Sequence, residues 1–209
     1  MENKSGLRSL LSNPRIYDFF QFVIGGKSAR KFIVENYINN MINEGGAILD
    51  VGCGTGYLLD YLDRNLKAEY LGYDLDHRYI DFAQRKYGSM GKFVCKSVTD
   101  IDLIDQGPFD VILAMGLLHH LNDKESRDLL SLCSRFVSDR GKVIFLDGLF
   151  VEGQSVMRKA ILNNDRGKYV RSLEGYTDLI APFFKKVETL VKPDLFYLPY
   201  TASIIICSK

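Results

Sequence analysis

The chain has 209 residues, with 27 lysines and arginines against 26 aspartates and glutamates and a formal net charge of +1. That length suits one α/β domain that buries enough surface to need no disulfide or metal staple. The charge balance argues against an extended nucleic-acid surface. The four cysteines, Cys53, Cys95, Cys133 and Cys207, form no C-x-x-C pair and read as reduced thiols. The N-terminus has no apolar signal core, and no run approaches about 18 apolar residues. The expectation is a soluble, cytoplasmic protein without an integral membrane segment.

Ile16, Phe19, Phe20 and Val23 recur at helical spacing after Asn13-Pro14, and Gly25-Gly26 ends that helix. Ser28 is placed to cap a second helix, with Phe32, Ile33, Tyr37 and Met41 on its apolar side. Gly45-Gly46 leads into a strand at 47–51. Strands are then expected at 69–74, 92–96, 109–114 and 141–147, alternating with helices at 57–64, 77–87 and 123–136. This order implies a parallel, doubly wound sheet covered on both faces. The strands at 185–191 and 201–207 have no helix between them, so they should pair antiparallel. Between them and the fifth strand lies an insertion, 148–182, with two short helices expected around Asn163–Gly167. The division expected is one domain: N-terminal helices 1–44 as a lid, a cofactor-binding core 45–147, a substrate-side insertion 148–182 and a terminal hairpin 183–209.

The stretch Ile48-Leu49-Asp50-Val51-Gly52-Cys53-Gly54-Thr55-Gly56 is an apolar strand that ends in an acid and enters a glycine-rich turn. Glycine lets backbone approach a ligand closely, and a following helix would aim its N-terminal amides at the same place. A dinucleotide fingerprint G-x-G-x-x-G fails here, because its third site falls on Tyr57 and the third glycine arrives one residue early at Gly56. A Walker A reading of Gly26-Lys27-Ser28 fails too, since the required first glycine is Gln21.

Asp50–Gly56 resembles motif I of the class I S-adenosylmethionine-dependent methyltransferases. The resemblance continues in Tyr70–Asp74, Phe93–Cys95, Phe109–Ala114, Leu118-His119-His120-Leu121 and Gly141–Asp147, and the final hairpin is similar to that family's antiparallel addition. It implies a seven-stranded, mostly parallel Rossmann-like sheet with an antiparallel C-terminal strand and an N-terminal helical cap. The implied cofactor is S-adenosyl-L-methionine, with S-adenosyl-L-homocysteine as product. The implied cofactor residues are Asp50, Gly52, Cys53, Gly54 and Gly56 at the turn and Asp74 on the ribose hydroxyls. Leu75 falls to the adenine face, and Ala114 to the end of the fourth strand. Ser97 stands where the family often has an adenine-binding acid, so the backbone of Val98 is a second adenine contact.

In the implied reaction a nucleophile attacks a methyl group in line, and an oxygen acceptor must also lose its proton. His119 and His120 lie where a base is needed, with His120 slightly preferred. Asp147, at the rim of the fifth strand, Tyr17 on the first helix, and Arg166 and Tyr169 in the insertion are the candidate acceptor contacts. The stretch Ala114-Met115-Gly116-Leu117 lacks the N/D-P-P-Y type sequence of amino-methylating DNA enzymes, and no metal site is marked. The reading is a methyltransferase acting on a small molecule, more on oxygen than on nitrogen or carbon. The alternative is a non-catalytic S-adenosylmethionine-binding regulator or partner protein. The acceptor and the oligomeric state are not given by the sequence.

Overall fold

The computed structural model describes residues 12–97, 100, 106–163 and 167–209. Seven strands lie in the order β3-β2-β1-β4-β5-β8-β7. They are β1 (Ala47–Val51), β2 (Glu69–Asp74), β3 (Gly91–Cys95), β4 (Phe109–Met115), β5 (Val137–Phe150), β7 (Lys186–Lys192) and β8 (Ala202–Ser208). A two-residue strand, β6 (Arg171–Ser172), pairs with the end of β5. Only β8 runs antiparallel, against β5 on one side and β7 on the other. The expected mostly parallel sheet with one antiparallel C-terminal strand is the sheet observed.

The strand sequences explain why both faces are covered. Successive side chains on a strand point to opposite faces, so a strand buried on both sides is apolar throughout. Ile48, Val111, Leu113 and Ile144 enter one core. Leu49, Ile112, Ala114, Val143 and Phe145 enter the other. The first core is closed by α2 (Gly26–Ile33), which continues through a π-helical turn Val34–Ile38 into Asn39–Met41, and by α3 (His77–Tyr87). The second is closed by α4 (Asp123–Phe136) and α6 (Leu173–Ile180). Asn122 and Glu125 form a reciprocal capping box at the start of α4, which fixes where that helix begins. The helix α1 (Pro14–Ile24) lies outside both cores and has no buried residue.

Three local expectations are corrected. The segment after the glycine turn is not a helix over 57–64 but two short 3₁₀ turns, Tyr57–Asp60 and Arg64–Leu66. Tyr57, Leu58 and Leu59 are consecutive and all buried. An α-helix would spread them over about 200°, whereas the tight turn directs all three inward. Ser28 does not cap the second helix. Gly25, in the left-handed region at φ 85°, ends α1, and its carbonyl already accepts the Ala29 amide. The Ser28 hydroxyl instead shares a hydrogen bond of 2.6 Å with the Tyr197 phenol. β5 starts four residues before the expected 141, straight after α4, with a register shift opposite Phe109 and Val111. The insertion holds its two expected helices, α5 (Val156–Asn163) and α6.

Gly56 and Gly45 separate two effects of a side chain at positive φ. Gly56 has φ 73°, and a Cβ there would come within 2.9 Å of the Phe93 ring. Gly45 has φ 77° with open space around it. Gly45→Ala should cost about 1 kcal/mol, from backbone strain alone. Gly56→Ala should cost about 2–4 kcal/mol, because overpacking adds to the strain. Urea denaturation of the two variants measures the difference.

Candidate functional site

The glycine turn joins the ends of β1 and β2. Gly52, Gly54 and Gly56 take φ of 79°, 57° and 73°, and this folds the chain back on itself. The amides of Gly52 and Cys53 both donate to the Tyr73 carbonyl, at 2.8 and 2.9 Å. The Gly54 amide donates to Asp74 Oδ2 at 2.8 Å, and the Asp76 amide to Asp74 Oδ1 at 2.9 Å. The turn's amides are therefore bound within the protein, and the helix end expected to aim amides at a ligand is replaced by the 3₁₀ turn. What the turn offers is bare glycine surface and a carboxylate. Both Asp74 oxygens accept backbone bonds, and a carboxylate oxygen can accept more than one. Those acceptor oxygens fit the two hydroxyls of a ribose.

Tyr17 covers the turn from α1. Its ring lies 3.6 Å from the place a Cβ on Gly54 would take, and it stacks on Tyr79 with centroids 4.8 Å apart. Beside it, Asp18 accepts a hydrogen bond from the Thr55 hydroxyl and lies 3.6 Å from Lys27. Arg30, on the inward face of α2, donates to the Tyr57 phenol and, at 3.2 Å, to the Met115 carbonyl at the end of β4. Its burial works against its charge, but the phenols of Tyr57 and Tyr17 and the Asp50 carboxylate more than offset this.

Asp50 is almost fully buried and accepts a 2.7 Å bond from the Tyr70 phenol. Burial pushes its pKa up to about 6, against the downward pull of the Tyr70 hydrogen bond and the Arg30 charge. Burial likewise raises the pKa of Asp74, where the amide bonds of Asp76 and Gly54 pull the other way.

The two histidines differ sharply. His119 is buried and His120 exposed. His119 Nδ1 lies 2.6 Å from Asp147 Oδ1, and the His119 amide donates to the same oxygen at 3.1 Å. An ionised Asp147 thus places the ring proton on Nδ1 and the lone pair on Nε2. Nε2 is on the far edge of the ring. Gly116 faces Cε1 there, and Gly167 lies so close that a Cβ would fall 1.9 Å from Cδ2. The ring of His120 packs on that of His119, 4.3 Å between centroids. The insertion holds this turn in place. The Tyr169 amide donates to the His119 carbonyl at 2.9 Å, and Arg171 donates to the carbonyls of Leu118 and Leu121, both at 3.1 Å. Leu117, two residues before His119, sits 3.5 Å from the Cβ position of Gly52, so this turn abuts the glycine turn.

A family profile described as "Methyltransferase domain" matches residues 48–141. Residues 48–141 thus match a methyltransferase domain, in line with a class I S-adenosylmethionine-dependent methyltransferase. Ubiquinone biosynthesis O-methyltransferase of Coxiella burnetii is 30% identical over 112 residues, covering 52% of this chain and 47% of that protein. The chain therefore spans about half the length of the curated relatives it first matches. A TehB-like SAM-dependent methyltransferase from Corynebacterium glutamicum superposes with a TM-score of 0.66 at 20% identity, over 95% of this chain and 97% of that one. Magnesium protoporphyrin IX methyltransferase from Synechocystis, solved with bound SAH, gives 0.68 at 18% identity over 91% and 88%. At these identities the structures speak for the fold.

Of the residues named from sequence, Asp50, Gly52, Cys53, Gly54, Gly56, Asp74 and Tyr17 come together at the turn. His119, His120, Asp147 and Tyr169 come together beside it. Leu75 follows Asp74 with its side chain largely exposed, and Ser97 lies just beyond β3. Ala114 is the misfit: it is fully buried in the second core and presents no surface to a ligand. Val98 and Arg166 lie outside the described residues. Arg30 was missed. Arg30 leaves a trace in the sequence, as a charge on the helix face that carries Ala29, Ile33 and Val34.

Asp50 should make stability depend on pH in a definite direction. Between about pH 4 and 6 the folded chain keeps a proton that the unfolded chain releases. This group's contribution to stability therefore falls as pH rises through that window and is constant above it. Asp50→Asn should flatten the curve there and add up to about 3 kcal/mol above pH 6. Urea denaturation between pH 4 and 8 reads both effects.

Proposed function

We propose that this methyltransferase transfers a methyl group to a hydroxyl oxygen of a small molecule, with His119 as the base. The observation that carries the reading is the His119–Asp147 contact beside the glycine turn. Bound S-adenosylmethionine supplies an electrophilic methyl on a sulfonium. Asp74 takes the ribose hydroxyls, the bare glycine turn admits the chain of the cofactor, and Arg30 pairs with its carboxylate end. Tyr17 and the rest of α1 cover the turn and exclude water. Asp147 holds the His119 ring and its Nδ1 proton. Nε2 accepts the hydroxyl proton of the acceptor as the oxygen becomes the nucleophile. His120, exposed and stacked on His119, braces that ring and is not the base.

This reading treats the chain as one working unit. Within the N-terminal segment α1 forms the lid, 45–147 supplies the cofactor core, 148–182 the acceptor side and 183–209 the hairpin that completes the sheet. Tyr169, and Arg166 by its place in the sequence, belong to the acceptor side. The Coxiella relative, by its name an O-methyltransferase, is in keeping with an oxygen acceptor. Transfer to nitrogen would need no such base, because an amine in its neutral form is already a nucleophile.

The test is release of S-adenosylhomocysteine over a panel of phenolic, sugar and amine acceptors. His119→Ala and Asp147→Asn should each lower kcat by about 10²–10⁴-fold with S-adenosylhomocysteine affinity unchanged, while His120→Ala stays near wild type. Equal rates in His119→Ala across the pH range would reject His119 as base. Tight cofactor binding with no turnover on any acceptor would favour the regulator. Asp74→Ala should weaken S-adenosylhomocysteine binding by about 1–3 kcal/mol, measured by calorimetry.

A further inference from the structure

The outer face of α1 has no role in the core or at the glycine turn. At about 100° per residue, Arg15, Ile16, Phe19, Phe22 and Val23 share one side of the helix. Phe19, Phe22 and Val23 are 68%, 60% and 50% exposed. The only acid of α1, Asp18, is turned away from this face onto Thr55 and Lys27. Tyr197, 67% exposed, extends the surface, because its amide donates to the Ile24 carbonyl at 3.0 Å. At the other end of the helix, Arg15 lines an open cleft with Phe82, Arg85 and Lys86 of α3. Asp81 and Arg78 line an adjoining cleft that shares Arg85. Lys86 is shared with Asp60, but Arg15 and Arg85 make no ion pair among the described residues.

Adjacent exposed aromatics on a helix face mark an interaction site. An apolar face bordered by arginines is the pattern of a helix lying in a lipid interface. A guanidinium takes a phosphate through paired hydrogen bonds, and anionic leaflets attract such clusters. A second copy of the chain fits less well. A two-fold contact would set arginine-bearing faces together with no carboxylate on α1's outer side to offset them.

We propose that the outer face of α1, with the Arg15–Arg85 cleft, docks the protein on an anionic phospholipid surface. Phe19, Phe22 and Val23 enter the acyl boundary, and the cleft holds a headgroup phosphate. The inner face of the same helix carries Tyr17, so the glycine turn lies directly behind the docked surface. The proposal concerns binding alone and stands whether or not His119 is the base.

Co-sedimentation with vesicles tests it, comparing an equimolar phosphatidylglycerol–phosphatidylcholine mixture with phosphatidylcholine alone. The wild-type protein should bind the mixture at least about tenfold more tightly than the neutral vesicles. Phe19→Glu/Phe22→Glu and, separately, Arg15→Glu/Arg85→Glu should each lose at least about tenfold. Calorimetry with S-adenosylhomocysteine confirms that both variants remain folded. No binding to either vesicle, equal binding to both, or wild-type binding by the Phe19→Glu/Phe22→Glu variant overturns the proposal. So does a dimer in sedimentation velocity that the same variant dissolves, which would assign the face to a second copy.

Discussion

The tie between β1 and β2 at their C-terminal ends is the constraint on which the site depends. Two amides of the glycine turn close on the Tyr73 carbonyl, and a third closes on the Asp74 carboxylate. These bonds require positive φ at three glycines within five residues, and the space they leave is small. A Cβ on Gly72, opposite the turn on β2, would lie 2.9 Å from Cys53 Sγ. The turn, the acid and the strand register therefore hold one another. Asp50 pairs with Gly72, and Asp74 with Cys95, so the two carboxylates stand on neighbouring strands at one end of the sheet. Burial raises the pKa of both. The fold keeps these carboxyls where a ligand bearing positive charge and hydroxyls would stabilise their ionised forms.

The second half of the site is held from the other direction. Gly116 follows β4, and Asp147 belongs to β5, which pairs with β4 in register from Val111 to Met115. That pairing brings the turn after β4 to a carboxylate 28 residues away in sequence. The insertion then closes on the same turn through Tyr169 and Arg171, and β6 anchors the insertion to the end of β5. Arg171 also reaches Asp123 at 2.7 Å, so one guanidinium links the insertion to the start of α4. The His119 ring is thus held at Nδ1 by the Asp147 carboxylate, while the insertion holds the backbone of the same turn.

The sheet was legible because its strands are apolar on both faces and separated by helices of the usual length. The starts of α3 and α4 fall where expected, one residue after the N-caps Asp76 and Asn122. The turn was legible because three glycines and an acid at fixed spacing have few other uses. The segment 57–64 was misread for a physical reason. Its apolar run looks like one side of a helix, yet every side chain of Tyr57–Leu59 faces the core. The choice between His119 and His120 turns on a hydrogen bond to Asp147, and local sequence does not contain that contact. The bracing contacts of Arg171 are hidden the same way, since they go to the carbonyls of Leu118 and Leu121, a group that every residue has.

The helix α1 joins the two halves of the argument about function. It contributes nothing to either core, so its stability in place comes from its inner face: Tyr17 on Tyr79 and the turn, Asp18 on Thr55, Gln21 at 3.3 Å from the Tyr57 phenol. These few polar and ring contacts are weak beside a buried apolar face. Tyr17 lies over Gly54, so a ligand reaching Gly54 must displace it. Whatever binds the outer face of α1 therefore acts on the same equilibrium as whatever binds beneath it. A surface that orders the helix in its covering position would tighten the cover over a bound cofactor, and one that draws it outward would open the turn. By linkage, a cofactor that favours the covering position must in turn change the affinity of the outer face by the same factor.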